Sequence, residues 1–264
     1  MRSTPRRSGA DLAGGAPAKT SHSVFFAALV SALLVPREAQ AMHLADGVLA
    51  APWCAAWTLL ALPFVLLAWR RFDAQRLHDE RLFPLVAMVG AAVFAISCMP
   101  VPIPIVGSCS HPCGTGLAAI VVGPLLTVLI TTIALVLQAL FLAHGGVTTL
   151  GADIVSMGIV GGFVGFVVYR AARRWGLGIV GAAFLAGLLS DWATYATTAL
   201  ELALGLHGER SLGAVFGAVC LAFAPTQLPL GLLEGGVTAG AVAFLARRRA
   251  RLFARIDRVA EERS

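Results

Sequence analysis

Charge is scarce in this 264-residue chain: Asp, Glu, Lys and Arg together make up 13% of it, about half the roughly 25% of a soluble domain. Lysine is scarcer still, with none after Lys19. A Gly-x-x-x-x-Gly-Lys-Ser/Thr loop needs its lysine to reach nucleotide phosphates, so the chain behind residue 41 holds no such ATP-driven motor. A Gly-x-Ser-Gly nucleophile is also missing. Gly107-Ser108-Cys109 does not supply one, which excludes a rhomboid-like intramembrane protease.

What is abundant is hydrophobicity, at 58% of residues. Several apolar runs exceed the length of a membrane-crossing helix, so the expected class is an all-α polytopic membrane protein. The net charge of +6 is mostly Arg at the edges of those runs. It speaks for membrane orientation and against nucleic acid as a partner. Of five cysteines, Cys54, Cys98 and Cys220 lie in apolar runs and read as packed thiols.

The first 41 residues have the three-part layout of a secretory signal. Arg2, Arg6, Arg7 and Lys19 precede an apolar core from Val24 to Val35, and Ala39-Gln40-Ala41 forms a cleavage junction. The core is shorter than the ~20 residues a spanning anchor needs. Cleavage after Ala41 leaves Met42 with a free amine and His43 in second place; a start at Met42 would leave the same terminus. The amine, the following backbone nitrogen and the position-2 imidazole can close two small chelate rings on one ion. Such neutral nitrogen donors suit Ni(II), Cu(II) or Co(II) better than hard cations.

The mature chain carries apolar segments at about 50–69, 82–105, 115–143, 152–169, 177–205 and 211–246. Arg70 to Arg81, Arg170 to Arg174 and the tail from Arg247 onwards are basic and should be cytoplasmic. Parity requires one more crossing, so the 115–143 run is expected to break at Gly123-Pro124. The expectation is seven transmembrane helices, with the N-terminus outside after signal cleavage and the C-terminus cytoplasmic. The domains are then a signal peptide at 1–41, a transmembrane metal-binding domain at 42–246 and a basic cytoplasmic tail at 247–264.

This topology gathers three polar segments outside: the Met42 terminus, the loop Pro100–Gly116 and the loop His144–Asp153. In the second, Pro112 favours an extended His111, whose imidazole would complete the nitrogen plane begun by Met42 and His43. Cys109 and Cys113 read as thiolate ligands, as a disulfide or as packing residues, with ligation the least favoured. Asp191, Glu201 and Glu234 lie inside apolar segments, where an acid is costly and suggests function by default. A structural role is favoured over a direct metal or proton role, and Tyr195, one turn from Asp191, is placed to form a buried hydrogen-bonded pair with it. Gly158, Gly161, Gly162 and Gly165 permit close helix approach, more in keeping with packing inside this bundle than with a partner contact.

These residues resemble the CbiM/NikM family, nearer CbiM: the substrate-binding membrane component of energy-coupling-factor transporters for cobalt and nickel. The shared blocks are Met42-His43-x-x-Asp46-Gly47, Gly107-Ser-Cys-Ser-His111-Pro-x-Gly114-x-Gly116, Gln138 through His144 to Gly151, Ser156-Met157 and Thr226-Gln227 through Pro229 to Glu234-Gly235. The resemblance implies a metal bound by the Met42 amine, the His43 backbone and imidazole nitrogens, and His111. The same blocks mark His144, Asp46, Cys109, Asp153 and Gln138 as candidates to surround those ligands. Cys113 stands where the family more often has Thr, and Asp153 where it more often has Asn. The implied cargo is Co(II), as for cobalamin synthesis, or Ni(II), and no catalytic residue or catalytic cofactor is expected. The implied partners are a CbiQ-like coupling subunit, CbiO-like ATPases and a small CbiN-like membrane subunit, in a bacterial inner membrane. A secondary metal permease would carry His-x-x-x-x-Asp-His, which does not occur, and a membrane scaffold would leave the Met-His terminus unexplained.

Overall fold

The computed structural model describes residues 44–99, 101–103 and 108–248. Among them are five helices long and apolar enough to cross a membrane, a shorter apolar helix, a buried half-helix and a two-stranded hairpin. Helix α1, Ala51–Arg76, starts at a proline in its first turn and buries only Cys54, Ala61, Ala68 and Phe72. The seven-residue steps from 54 to 68 put these on one narrow stripe. Leu59, Leu62, Leu66 and Trp69 face outward and are about half exposed or more. A helix apolar all round has lipid on its outer side.

Helix α2, Leu82–Ser97, is 16 residues long. It does not continue to residue 105 as one span, because Pro100, Pro102 and Pro104 cannot donate helical hydrogen bonds. Strand β1, Val101–Ile103, pairs instead with β2, Ser108–Ser110, in antiparallel register.

Helix α3, Thr115–Val122, and helix α4, Pro124–Phe141, meet at Gly123, where φ is +87°. The break falls where the sequence suggested, but the first half is too short to span a membrane as a helix by itself. Its eight residues span about 12 Å against a hydrocarbon core of ~30 Å. The half-helix is instead buried from Thr115 to Val121. Helix α5, Leu150–Arg174, opens its hydrogen bonding to the wider π form over Ile154–Gly161. Helices α6, Ile179–Leu206, and α7, Leu212–Arg248, pack along one another.

A stack of small residues holds α3 against α5 and α6. A Cβ on Gly116 would lie 2.8 Å from the Cα of Gly187, and one on Gly165 would lie 3.0 Å from the Cα of Gly116. One on Gly187 would in turn lie 3.0 Å from the Glu234 carbonyl oxygen of α7. Gly158 meets Thr131 of α4, Gly161 meets Thr194 of α6 and Gly162 meets Thr127 of α4. The glycine stripe of α5 is therefore used within this bundle.

The bundle's two ends differ. Tyr169, Ala172, Ala182, Val242 and Leu245 pack together at the end that carries Arg170, Arg173, Arg174, Arg247 and Arg248. Leu44 and Leu49 pack with Cys54, Ala152 and Leu202 at the opposite ends of α5 and α6.

Replacing Gly116 by Ala is expected to lower stability by about 1–3 kcal/mol, because backbone rather than a pliant side chain would meet the new methyl. Gly236, with nothing within 4 Å, should accept Ala with little change. Thermal unfolding of the two detergent-solubilised variants checks this; equal melting temperatures would refute the stack.

Candidate metal centre

Met42 and His43 lie outside the described residues; what is described is how the chain after them is fastened. The Leu44 amide donates to Asp153 Oδ1 at 3.1 Å. The Leu44 carbonyl accepts from Thr149 Oγ1 and, at 3.0 Å, from the Gly146 amide. Two residues on, Asp46 caps the facing loop by accepting from the Val147 amide at 3.2 Å and from the Thr148 amide at 2.8 Å. The Thr148 hydroxyl donates to it as well. These donors, the Thr148 hydroxyl first, hold the Asp46 carboxyl below its ordinary range, as expected when hydrogen bonds favour the charged form. Asp46 thus acts as a loop anchor. Asp153, only 3% exposed, faces the interior and spends one oxygen on the Leu44 amide.

His111 sits between β2 and α3 and is fully buried. Its Nδ1 lies 3.0 Å from the Pro112 carbonyl oxygen, and a carbonyl only accepts, so Nδ1 carries the proton. In the neutral ring the lone pair is then on Nε2. The ring of His144 lies 5.3 Å away, centroid to centroid, tilted by 44°. Ala143 and Gly145, at φ +48° and +87°, turn the backbone sharply on either side of His144. Gln138 Nε2 donates to Ser97 Oγ at 2.8 Å and so ties α4 to the end of α2, and its backbone carbonyl accepts the His144 amide at 3.2 Å.

The loop bearing His111 is gripped from below. Gln227 and Glu234, seven residues apart on α7, face the same way. Gln227 Nε2 donates to Ser110 Oγ at 2.6 Å. Glu234 accepts the amides of Cys113 at 2.6 Å and Gly114 at 2.9 Å. From α6 the Tyr195 hydroxyl donates to the His111 carbonyl at 3.0 Å. Tyr195 is therefore committed to the His111 loop rather than paired with Asp191, as its spacing had suggested. Asp191 instead faces Cys113, with Oδ1 3.9 Å from the thiol sulfur. Cys113 is a free, buried thiol, which removes the disulfide with Cys109. The Cys109 side chain lies outside the described residues.

A small cavity lies between these groups, lined by His111, Cys113, Asp153, Met157 and Tyr195 among others. Of the residues in this arrangement, Ser110, Tyr195 and Gln227 had no place in the site read from sequence. The available signal was the heptad spacing of Gln227 and Glu234 inside an apolar helix, where two buried polar groups on one face must each find a polar partner.

With this geometry in view, the likeness to known proteins is clear. The family described as "Cobalt uptake substrate-specific transmembrane region", CbiM, matches residues 43–252. The chain is 60% identical over 216 residues to a cobalt transport protein CbiM of Sorangium cellulosum, covering 82% of this chain and 96% of that one. It is 54% identical over 229 residues to a cobalt transport protein CbiM of Geobacter sulfurreducens, covering 87% of this chain and 66% of that one. A crystal structure described as a truncated transition metal transporter superposes with a TM-score of 0.70 at 28% identity, over 78% of this chain and 99% of the other. This multi-pass membrane chain belongs to the CbiM family.

Proposed function

We propose that the chain is the substrate-capture subunit of an energy-coupling-factor importer for a divalent transition metal, in the first instance Co(II). The reading extends to Ni(II), since nitrogen ligation accommodates both; the cobalt transport named in its relatives favours Co(II). The ion is held by the Met42 amine, the backbone nitrogen and imidazole of His43, and His111 Nε2. The observation that carries this is the fastening of Leu44: its amide sits on Asp153, and Asp153 lines the same cavity as His111. The two residues before Leu44 reach about 7 Å at most, so a mature terminus at Met42 is kept near that cavity.

Cleavage after Ala41 is part of the proposal, because only a free amine can ligate. The 247–264 tail is cytoplasmic and the mature terminus outside. The gathering of Arg170–Arg174 and Arg247–Arg248 at the end opposite Leu44 supports this orientation. Having no phosphate loop, the chain relies on separate ATPase subunits, joined through a coupling membrane subunit with a small accessory one. The membrane is the bacterial inner membrane.

Two experiments test the reading. Intact-mass analysis of purified protein should give a chain starting at Met42; metal-binding protein that retains residues 1–41 would end the free-amine mechanism. Inserting one Ala between Met42 and His43 moves the imidazole from second to third position. A position-3 His with a free amine still binds Ni(II) and Cu(II), but fills the plane with its own two backbone nitrogens and displaces His111. The insertion should therefore retain metal in detergent yet abolish cellular uptake of radioactive Co(II), whereas His111→Ala should weaken both. Normal uptake by the insertion variant would remove Met42 and His43 from the ligand set.

A further inference from the structure

Below the His111 loop, Cys113, Asp191 and Glu234 form a cluster; Glu234 holds the loop, while the Cys113 thiol and the Asp191 carboxyl have no role in the capture site. All three are buried, and each brings one potential ligand atom within 4.8 Å of the other two. We propose that they form a second transition-metal site, one step deeper than His111, through which the captured ion passes.

The first support is distance. For a tetrahedral ion with metal–sulfur bonds of about 2.3 Å and metal–oxygen bonds of about 2.1 Å, sulfur and oxygen ligands lie roughly 3.6 Å apart. Cys113 Sγ and Asp191 Oδ1 are 3.9 Å apart, so little movement is needed to close them on an ion. The second is an unmet demand. Asp191 is fully buried and its Oδ2 receives no N–H or O–H donor, while its carboxyl faces the Glu234 carboxyl within hydrogen-bonding reach, so the two buried acids need a shared proton or a cation between them. The elements that build the cluster carry no Lys or Arg except Arg247 and Arg248, at the far end of α7. Glu234 differs, because the Cys113 and Gly114 amides already hold its carboxylate in place; it is a preformed ligand whose oxygens keep lone pairs for a metal.

The third support is access. Cys113 lines the same small cavity as His111, so the cluster begins next to the capture site. Binding exchanges the thiol proton for the metal, and the proton leaves through that cavity. The donor set of one thiolate and two carboxylates leaves a fourth position open, which suits an ion in transit better than one held permanently. The site is specific to a chain with sulfur at position 113 and rests on the reading that this protein carries such ions.

The test is absorption spectroscopy of the purified full-length protein titrated with Co(II) alone, where thiolate ligation gives a near-ultraviolet charge-transfer band. A second Co(II) equivalent and this band are expected in the unmodified protein. Cys113→Ser and Asp191→Asn should each lose the band and keep the first equivalent, with melting temperatures unchanged; the amide preserves a hydrogen-bonded cluster while removing the anionic ligand. Cys109→Ser should keep the band. His111→Ala should lose the first equivalent and keep the band, so failure of the capture site is read separately from failure of this one. A band that survives Cys113→Ser overturns the proposal. So does the absence of any band at saturating Co(II), which would make the cluster a hydrogen-bonded knot only.

Discussion

Satisfaction of buried polar groups is the constraint on which the rest depends. A loop carrying His111, with its own amides and carbonyls, is sunk into an apolar bundle where water is not available to pair them. An unpaired polar group there costs several kcal/mol. Glu234 takes the Cys113 and Gly114 amides, Gln227 takes Ser110 and Tyr195 takes the His111 carbonyl. Because these partners sit on two long helices, the position of the imidazole is set by rigid elements rather than by the loop itself.

The polar arrangement is reachable only because the backbones come close. Gly116, Gly165 and Gly187 let α3 lie against α5 and α6 at distances that a methyl group would prevent. With lipid outside and no hydrophobic gain in leaving it, such packing is what holds membrane helices together. The same contacts bring Asp191 under Cys113 and Ser190 against Thr115, whose hydroxyls lie 3.0 Å apart. Packing and polar pairing thus support each other, which is why one half-helix can stay fully buried.

The two sides of the centre are held differently. The His111 side is buried and gripped by side chains from α6 and α7. The Leu44 side is tied partly through Asp46, whose bonds to Val147 and Thr148 are exposed. Exposed bonds to a carboxylate are worth little in water and open readily. The geometry is that of a fixed half-site inside the bundle with a fastened but more easily released strap above it.

Class and blocks were legible from the sequence alone. The scarcity of charge, the apolar runs and the absence of lysine after residue 19 determine a membrane protein with no phosphate loop behind that residue, and the helix break at Gly123-Pro124 follows from local backbone chemistry. His111 was legible because its glycine- and proline-rich surroundings are distinctive at short range. The end of α2 at Ser97 and the burial of α3 inside the bundle were not, since hydropathy measures how apolar a run is and not whether lipid or protein surrounds it. The partners of Cys113, Tyr195 and Glu234 were decided by the tertiary structure. They join residues 78 to 121 positions apart, and no local periodicity encodes which buried donor meets which acceptor. Asp191 carries the lesson most clearly: its cost in an apolar helix was evident from the sequence, but only the approach of α3 to α6 decided that it faces a thiol.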